Sequence, residues 1–196
     1  MESLMPQVAT DFVSPPDVIG VTAAFFGGRV DLDPASSKFA NTLVNADRYF
    51  TAEDNGLRQK WKAKNVYLYP PRDSLTYDEQ PPDSSVFRRK KRFVKSAQRV
   101  WLEECYRQYL RNNFEEAIIF LTSTEVALIT TQKIGLDLPI CVLKDKPALH
   151  LDTPDLPKIT NTRCYGFILY MPQSTRPAER VQNFIEFYSP LGRVYY

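Results

Sequence analysis

The chain is poor in the residues that most often announce a chemistry. Its single histidine, His150, cannot build a histidine-based metal centre and has no cysteine near it. It reads as an ordinary loop or surface residue, and no metal is expected. The three cysteines, Cys105, Cys141 and Cys164, are scattered and odd in number, which argues against a disulfide framework or a metal-ligand spacing. A reduced, cytoplasmic setting is the simplest reading. Net charge is only +2, so any argument for nucleic acid has to be local. No basic-then-apolar leader opens the sequence, and no run approaches about 18 apolar residues, so neither secretion nor a membrane span is expected. No internal repeat is visible. Glycine is scarce, seven residues against fifteen prolines, which points to rigid connections.

What is present is an ordinary globular balance, 43% hydrophobic and 24% charged over 196 residues. That suits one domain, 1–196, with a real core. Short apolar strands alternate with helical patterns. Strands are predicted at 29–32, 48–50, 65–68, 117–121, 138–143, 165–171 and 193–196. Helices are predicted from Ser14 as N-cap to Phe26, over 96–112 with Ala97, Trp101, Cys105 and Tyr109 on one stripe, over 125–133, and over 177–188. This alternation predicts an α/β fold, a mostly parallel sheet with helices on both faces.

The most informative stretch is 65–73, Asn-Val-Tyr-Leu-Tyr-Pro-Pro-Arg-Asp. A buried strand runs into a double proline, which fixes φ and holds the preceding residues extended. Open α/β sheets bind ligands beyond the carboxyl ends of their strands, and this is such an end. A second such end is Asp33-Pro34-Ala35-Ser36-Ser37, where small residues follow a strand and precede a helix. The Asp33 carboxylate there is placed to accept hydrogen bonds from a ligand ammonium or ribose hydroxyl. An Asx-type turn is the plain alternative. Thr122-Ser123-Thr124, after the strand at 117–121, is a third candidate for the same cleft.

Residues 72–95 form a long polar insertion that ends in a charge block, Arg88, Arg89, Lys90, Lys91, Arg92 and Lys95, followed by Arg99. Concentrated charge of this kind suits phosphate contact, with a solvated loop as the alternative.

Several of these pieces fall in a familiar order. Ser14-Pro15-Pro16 before the first helix, Asp31-Leu32-Asp33-Pro34-Ala35-Ser36-Ser37 and Ala40-Asn41 come first. Arg48-Tyr49-Phe50-Thr51, Asp54-Asn55-Gly56-Leu57, Trp61 and the strand ending in Pro-Pro follow. Together they resemble the phage-type DNA N6-adenine methyltransferase family, densely over 14–71 and more loosely beyond. The resemblance implies a Rossmann-like fold that binds S-adenosylmethionine. It places Pro15, Asp33, Pro34, Ala35 and Ser36 beside that cofactor, and Tyr69, Pro70, Pro71 and Arg72 at the catalytic motif.

The motif departs from the family pattern of Asn or Asp, Pro, Pro and an aromatic residue. Tyr69 replaces the amide or carboxylate that accepts a hydrogen bond from the adenine amino group, and Arg72 replaces the ring that stacks on the flipped base. Loss of one positioned group of this kind costs on the order of 10²–10³ in rate. The expectation is a degenerate enzyme serving as a binding or interaction module, with duplex DNA as a candidate partner through the basic loop, or a protein partner. An active adenine methyltransferase with an atypical motif is the alternative, followed by methyl transfer to another acceptor.

Overall fold

The computed structural model describes residues 12–72, 74–75, 95–151, 164–172 and 176–196. The strands are β1 (Phe12–Val13), β2 (Val30–Asp33), β3 (Ala46–Tyr49), β4 (Asn65–Leu68), β5 (Ser74–Leu75), β6 (Lys95–Ser96), β7 (Glu116–Leu121), β8 (Ile140–Leu143), β9 (His150–Leu151), β10 (Phe167–Met171) and β11 (Gly192–Tyr195). The helices are α1 (Pro16–Phe25), α2 (Lys38–Val44), α3 (Ala97–Leu110), α4 (Thr131–Lys133) and α5 (Pro177–Tyr188). A π-helical segment, Glu125–Thr130, leads into α4.

Seven strands form one sheet in the order β11-β8-β10-β7-β4-β2-β3. The β2/β3, β2/β4 and β4/β7 ladders are parallel; β7/β10, β10/β8 and β8/β11 are antiparallel. The sheet is therefore mixed: β2, β3, β4, β7 and β8 run in one sense, and β10 and β11 run against them. A parallel return needs a crossover of a dozen or more residues, usually a helix. The link from β8 to β10 has no helix among its described residues, and β10 comes back antiparallel. Two antiparallel pairs, β1/β9 and β5/β6, lie outside this sheet.

Strand alternation sorts the core into two layers. Val66 and Leu68 face a cluster with Trp61, Val100, Trp101 and Cys105 from α3 and its surroundings. Tyr67 and Tyr69 face the opposite cluster, with Val18, Ile19 and Phe25 of α1 and Phe184 and Tyr188 of α5. Helices thus cover both faces. The predicted stripe on α3 is real: Ala97, Trp101 and Cys105 are buried, and Tyr109 packs at its edge.

The β2/β4 ladder has a single registered pair, Leu32 with Val66, and side chains complete it. Asp31 accepts from the Lys64 amide at 2.8 Å, and Asn65 Oδ1 accepts from the Asp31 amide at 2.9 Å. Opposite Asn65 on the neighbouring strand β7, Glu116 accepts from Arg180 at 2.9 Å and 3.0 Å and from the Tyr170 hydroxyl at 2.7 Å. The same guanidinium lies 4.2 Å from the centroid of the Phe25 ring, so this contact ties α5 to β7 and α1.

Burial raises the phenol pKa values of Tyr67, Tyr170 and Tyr188, raises the Cys105 thiol, and pushes Cys141 up to about 12. These groups stay neutral when folded and ionise when unfolded. Their stabilisation is complete below the ordinary pKa values and is lost as pH rises above them. Each group should cost about 1.4 kcal/mol per pH unit once its unfolded form ionises, near pH 8.5 for thiols and about 10 for phenols. Urea midpoints should be flat between about pH 7 and 8 and fall steeply above about pH 10. A midpoint unchanged up to about pH 11 would contradict this burial pattern.

Candidate functional site

The order β3-β2-β4 makes a topological switch point: the chain leaves β2 towards β3 on one side, then returns to β4 on the other. Open sheets bind ligands outside the carboxyl ends of strands at such a point. A cavity of about 210 Å³ lies there.

One wall is the loop after β2. Ser37 caps α2, its hydroxyl accepting from the Ala40 amide at 2.9 Å. Asp33, 3% exposed, accepts from the Ala35 amide at 3.2 Å, so the Asx-type turn is present. That turn does not remove Asp33 from the cavity, which it lines together with Pro34, Ala35, Ser36 and Ser37. Two backbone bonds fix the loop to the end of β3: Phe50 N to Asp33 O at 3.0 Å and Ser36 N to Phe50 O at 2.9 Å.

A second wall is aromatic and tightly built. Trp61, fully buried, donates its indole proton to Gly56 O at 2.9 Å and stacks on Trp101 with ring centroids 6.1 Å apart. Gly56 is there because nothing larger fits. A Cβ would stand 2.0 Å from Pro34 O and 2.9 Å from the Trp101 ring. Phe50, Gly56, Leu57 and Trp101 all face the cavity.

The third wall is the motif after β4. Tyr69 and Pro71 line the cavity, while Pro70 is buried beside them. Tyr69 is only 6% exposed; its ring packs on Phe120 of β7 with centroids 4.9 Å apart and planes tilted by 44°. Arg72 is exposed, and its guanidinium lies 5.0 Å from the centroid of the Phe12 ring, itself part of the cavity lining. Arg72 therefore stands at the rim.

Most of the residues singled out in the sequence converge on this one cleft: Asp33, Pro34, Ala35, Ser36, Tyr69 and Pro71, with Arg72 at its edge. Pro15 does not line it. Pro15 occupies the N-cap position of α1, and the neighbouring Ser14 lines the cavity instead. The expectation that Ser14 caps the helix is corrected accordingly. The helix starts with Pro16 at its first position and carries no side-chain cap bond. Thr122, Ser123 and Thr124 are also corrected, since none of the three lines the cavity. Gln98 of α3 accepts from the Thr122 and Ser123 amides at 3.0 Å and donates to the Thr122 hydroxyl at 2.7 Å. Arg88, Arg89, Lys90, Lys91 and Arg92 lie outside the described residues, and Lys95 is described as backbone only, in β6. Arg99 pairs within α3 with Glu103 at 2.9 Å.

Sequence reasoning missed Phe12, Ser14 as a cavity residue, and Trp101. Trp101 had a visible place on the α3 stripe, but helical spacing alone reads as core. Phe12 reaches the cleft because β1 pairs with β9, some 140 residues away in sequence, Phe12 opposite Leu151, which no local signal announces.

No protein-family model, curated protein or solved structure matches the chain. Among the described residues no group of His, Cys, Asp or Glu could hold a metal ion, and no helix is long and apolar enough to cross a membrane.

Proposed function

We propose that the chain is a Rossmann-like binding domain whose β2/β4 cleft takes S-adenosylmethionine, and that it does not methylate adenine efficiently. The observation that carries the reading is the pairing of the Asp33–Ser36 loop and Tyr69-Pro71 as walls of one cavity at the sheet's switch point. The lining fits a nucleoside-type ligand. Asp33 supplies a carboxylate for a hydroxyl or ammonium, and Phe12, Phe50 and Trp101 supply aromatic surface for a flat ring. When bound, that cofactor would supply an activated methyl group. The family resemblance of residues 14–71 narrows the ligand class from nucleoside to S-adenosylmethionine.

The acceptor side argues against adenine chemistry. Tyr69 turns its ring onto Phe120, where the resembling family holds an amide or carboxylate. Gln98 takes the Thr122 and Ser123 amides at the end of β7, so these two are already bonded within the protein. Arg72 brings charge to the place of a stacking ring.

Calorimetric titration with S-adenosylmethionine tests the reading. Saturable one-to-one binding is expected, weakened about tenfold or more in Asp33→Asn, because a charged hydrogen-bond acceptor is lost. Absence of binding at millimolar ligand would overturn it. Methyl transfer by the natural chain to duplex DNA would instead establish the active-enzyme alternative. Duplex DNA is the proposed macromolecular partner, through Arg88, Arg89, Lys90, Lys91 and Arg92. Neutralising these five should weaken DNA binding and flatten its salt dependence. An unchanged salt slope would remove that role from them and favour protein docking.

A further inference from the structure

Ser14 lies between β1 and α1, is 3% exposed and borders the cavity. Its hydroxyl is spared from capping because Pro15 and Pro16 occupy the N-cap and first positions of α1. Tyr67, fully buried one strand position before Leu68, donates its phenol proton to Ser14 Oγ at 2.6 Å. Burial, and more weakly the charge of nearby Asp33, hold that phenol neutral well beyond its ordinary range, against the opposing pull of the Ser14 bond. Tyr67 is therefore a standing donor.

A serine hydroxyl has one proton to give and two lone pairs to receive. Tyr67 takes a lone pair, and the Ser14 proton meets no acceptor among the described residues. A buried hydroxyl proton without a partner is unfavourable, and a ligand acceptor in the adjoining cavity would relieve that.

We propose that Ser14 is a ligand-binding residue of the cleft, donating its hydroxyl proton to an acceptor atom of the ligand, with Tyr67 as the residue that positions it. Ser14 and Asp33 then present one neutral donor and one carboxylate acceptor to the same cavity. That pair suits a ligand segment carrying a donor and an acceptor close together, such as the α-amino-acid end or the ribose diol of S-adenosylmethionine. The inference rests on the cofactor reading above.

The test is titration of S-adenosylmethionine into the full chain and into Ser14→Ala, Ser14→Thr, Tyr67→Phe and the double variant Ser14→Ala, Tyr67→Phe. Ser14→Ala should weaken binding about tenfold and Ser14→Thr much less, as expected for one buried hydrogen bond. Tyr67→Phe should weaken it about threefold alone and add nothing in the Ser14→Ala background, the signature of action through Ser14. The double variant removes both partners of the buried bond, leaves no orphaned phenol, and keeps the test valid if Ser14→Ala alone folds poorly. Wild-type affinity in both the Ser14→Ala and the double variant would overturn the inference while leaving the cofactor reading in place. Failure of the natural chain to bind S-adenosylmethionine would overturn both.

Discussion

The double variant Tyr69→Asn, Arg72→Tyr is expected to transfer methyl groups from labelled S-adenosylmethionine to adenine in duplex DNA, where the natural chain transfers little or none. The change restores an amide acceptor at the end of β4 and a stacking ring after the prolines, as in the family that residues 14–71 resemble. One positioned polar group is worth on the order of 10²–10³ in rate, and two changes acting on the same base add to that. The cost falls on stability. Tyr69 is packed against Phe120 and only 6% exposed, so removing its ring leaves a cavity in the α1/α5 layer. A loss of about 3 kcal/mol is expected, measured by urea unfolding. Robust methylation by the natural chain would refute the degenerate-motif account. A folded double variant that binds cofactor yet transfers nothing would place the defect elsewhere in the acceptor side.

Gly56→Ala is the second large effect. A Cβ at this position would lie 2.0 Å from Pro34 O and 2.9 Å from the Trp101 ring. Neither neighbour yields easily: one is backbone on the loop that carries Asp33, the other is stacked on the fully buried Trp61. The loop would have to move into the cavity or the Trp61/Trp101 stack would have to part. A stability loss of about 2–3 kcal/mol is expected from overpacking. Binding of S-adenosylmethionine should weaken by more than about tenfold, because the displaced loop carries Pro34, Ala35 and Asp33 itself. Unchanged affinity in Gly56→Ala would mean that the ligand does not use this wall.

The sequence was most legible where structure and site coincide in short range. Alternation put Val66 and Leu68 on one face of β4 and Tyr67 and Tyr69 on the other, and the two core layers follow that division. The strand-end rule put Asp33 and Pro71 at one cleft without knowledge of the sheet order. What stayed hidden depends on contacts between distant segments. Ser14 read as a helix cap because local sequence offers no sign that Tyr67, 53 residues away, donates to its hydroxyl and holds it at the cleft. Thr122 and Ser123 read as cleft residues because nothing local shows Gln98 reaching over from α3 to bind them. The direction of β10 was not legible because its strand pattern is that of any buried strand, and the pairing with β7 and β8 fixes its sense.

The central claim is that the cleft between the Asp33 loop and Tyr69-Pro71 is the ligand site. A crystal structure of the chain grown with S-adenosylmethionine tests it most directly. The account predicts density for the ligand between these two walls, with Asp33 and Ser14 in hydrogen-bond reach and aromatic contact to Phe50 or Trp101. Ligand bound on another face of the sheet, or an empty cleft at saturating cofactor, would contradict it.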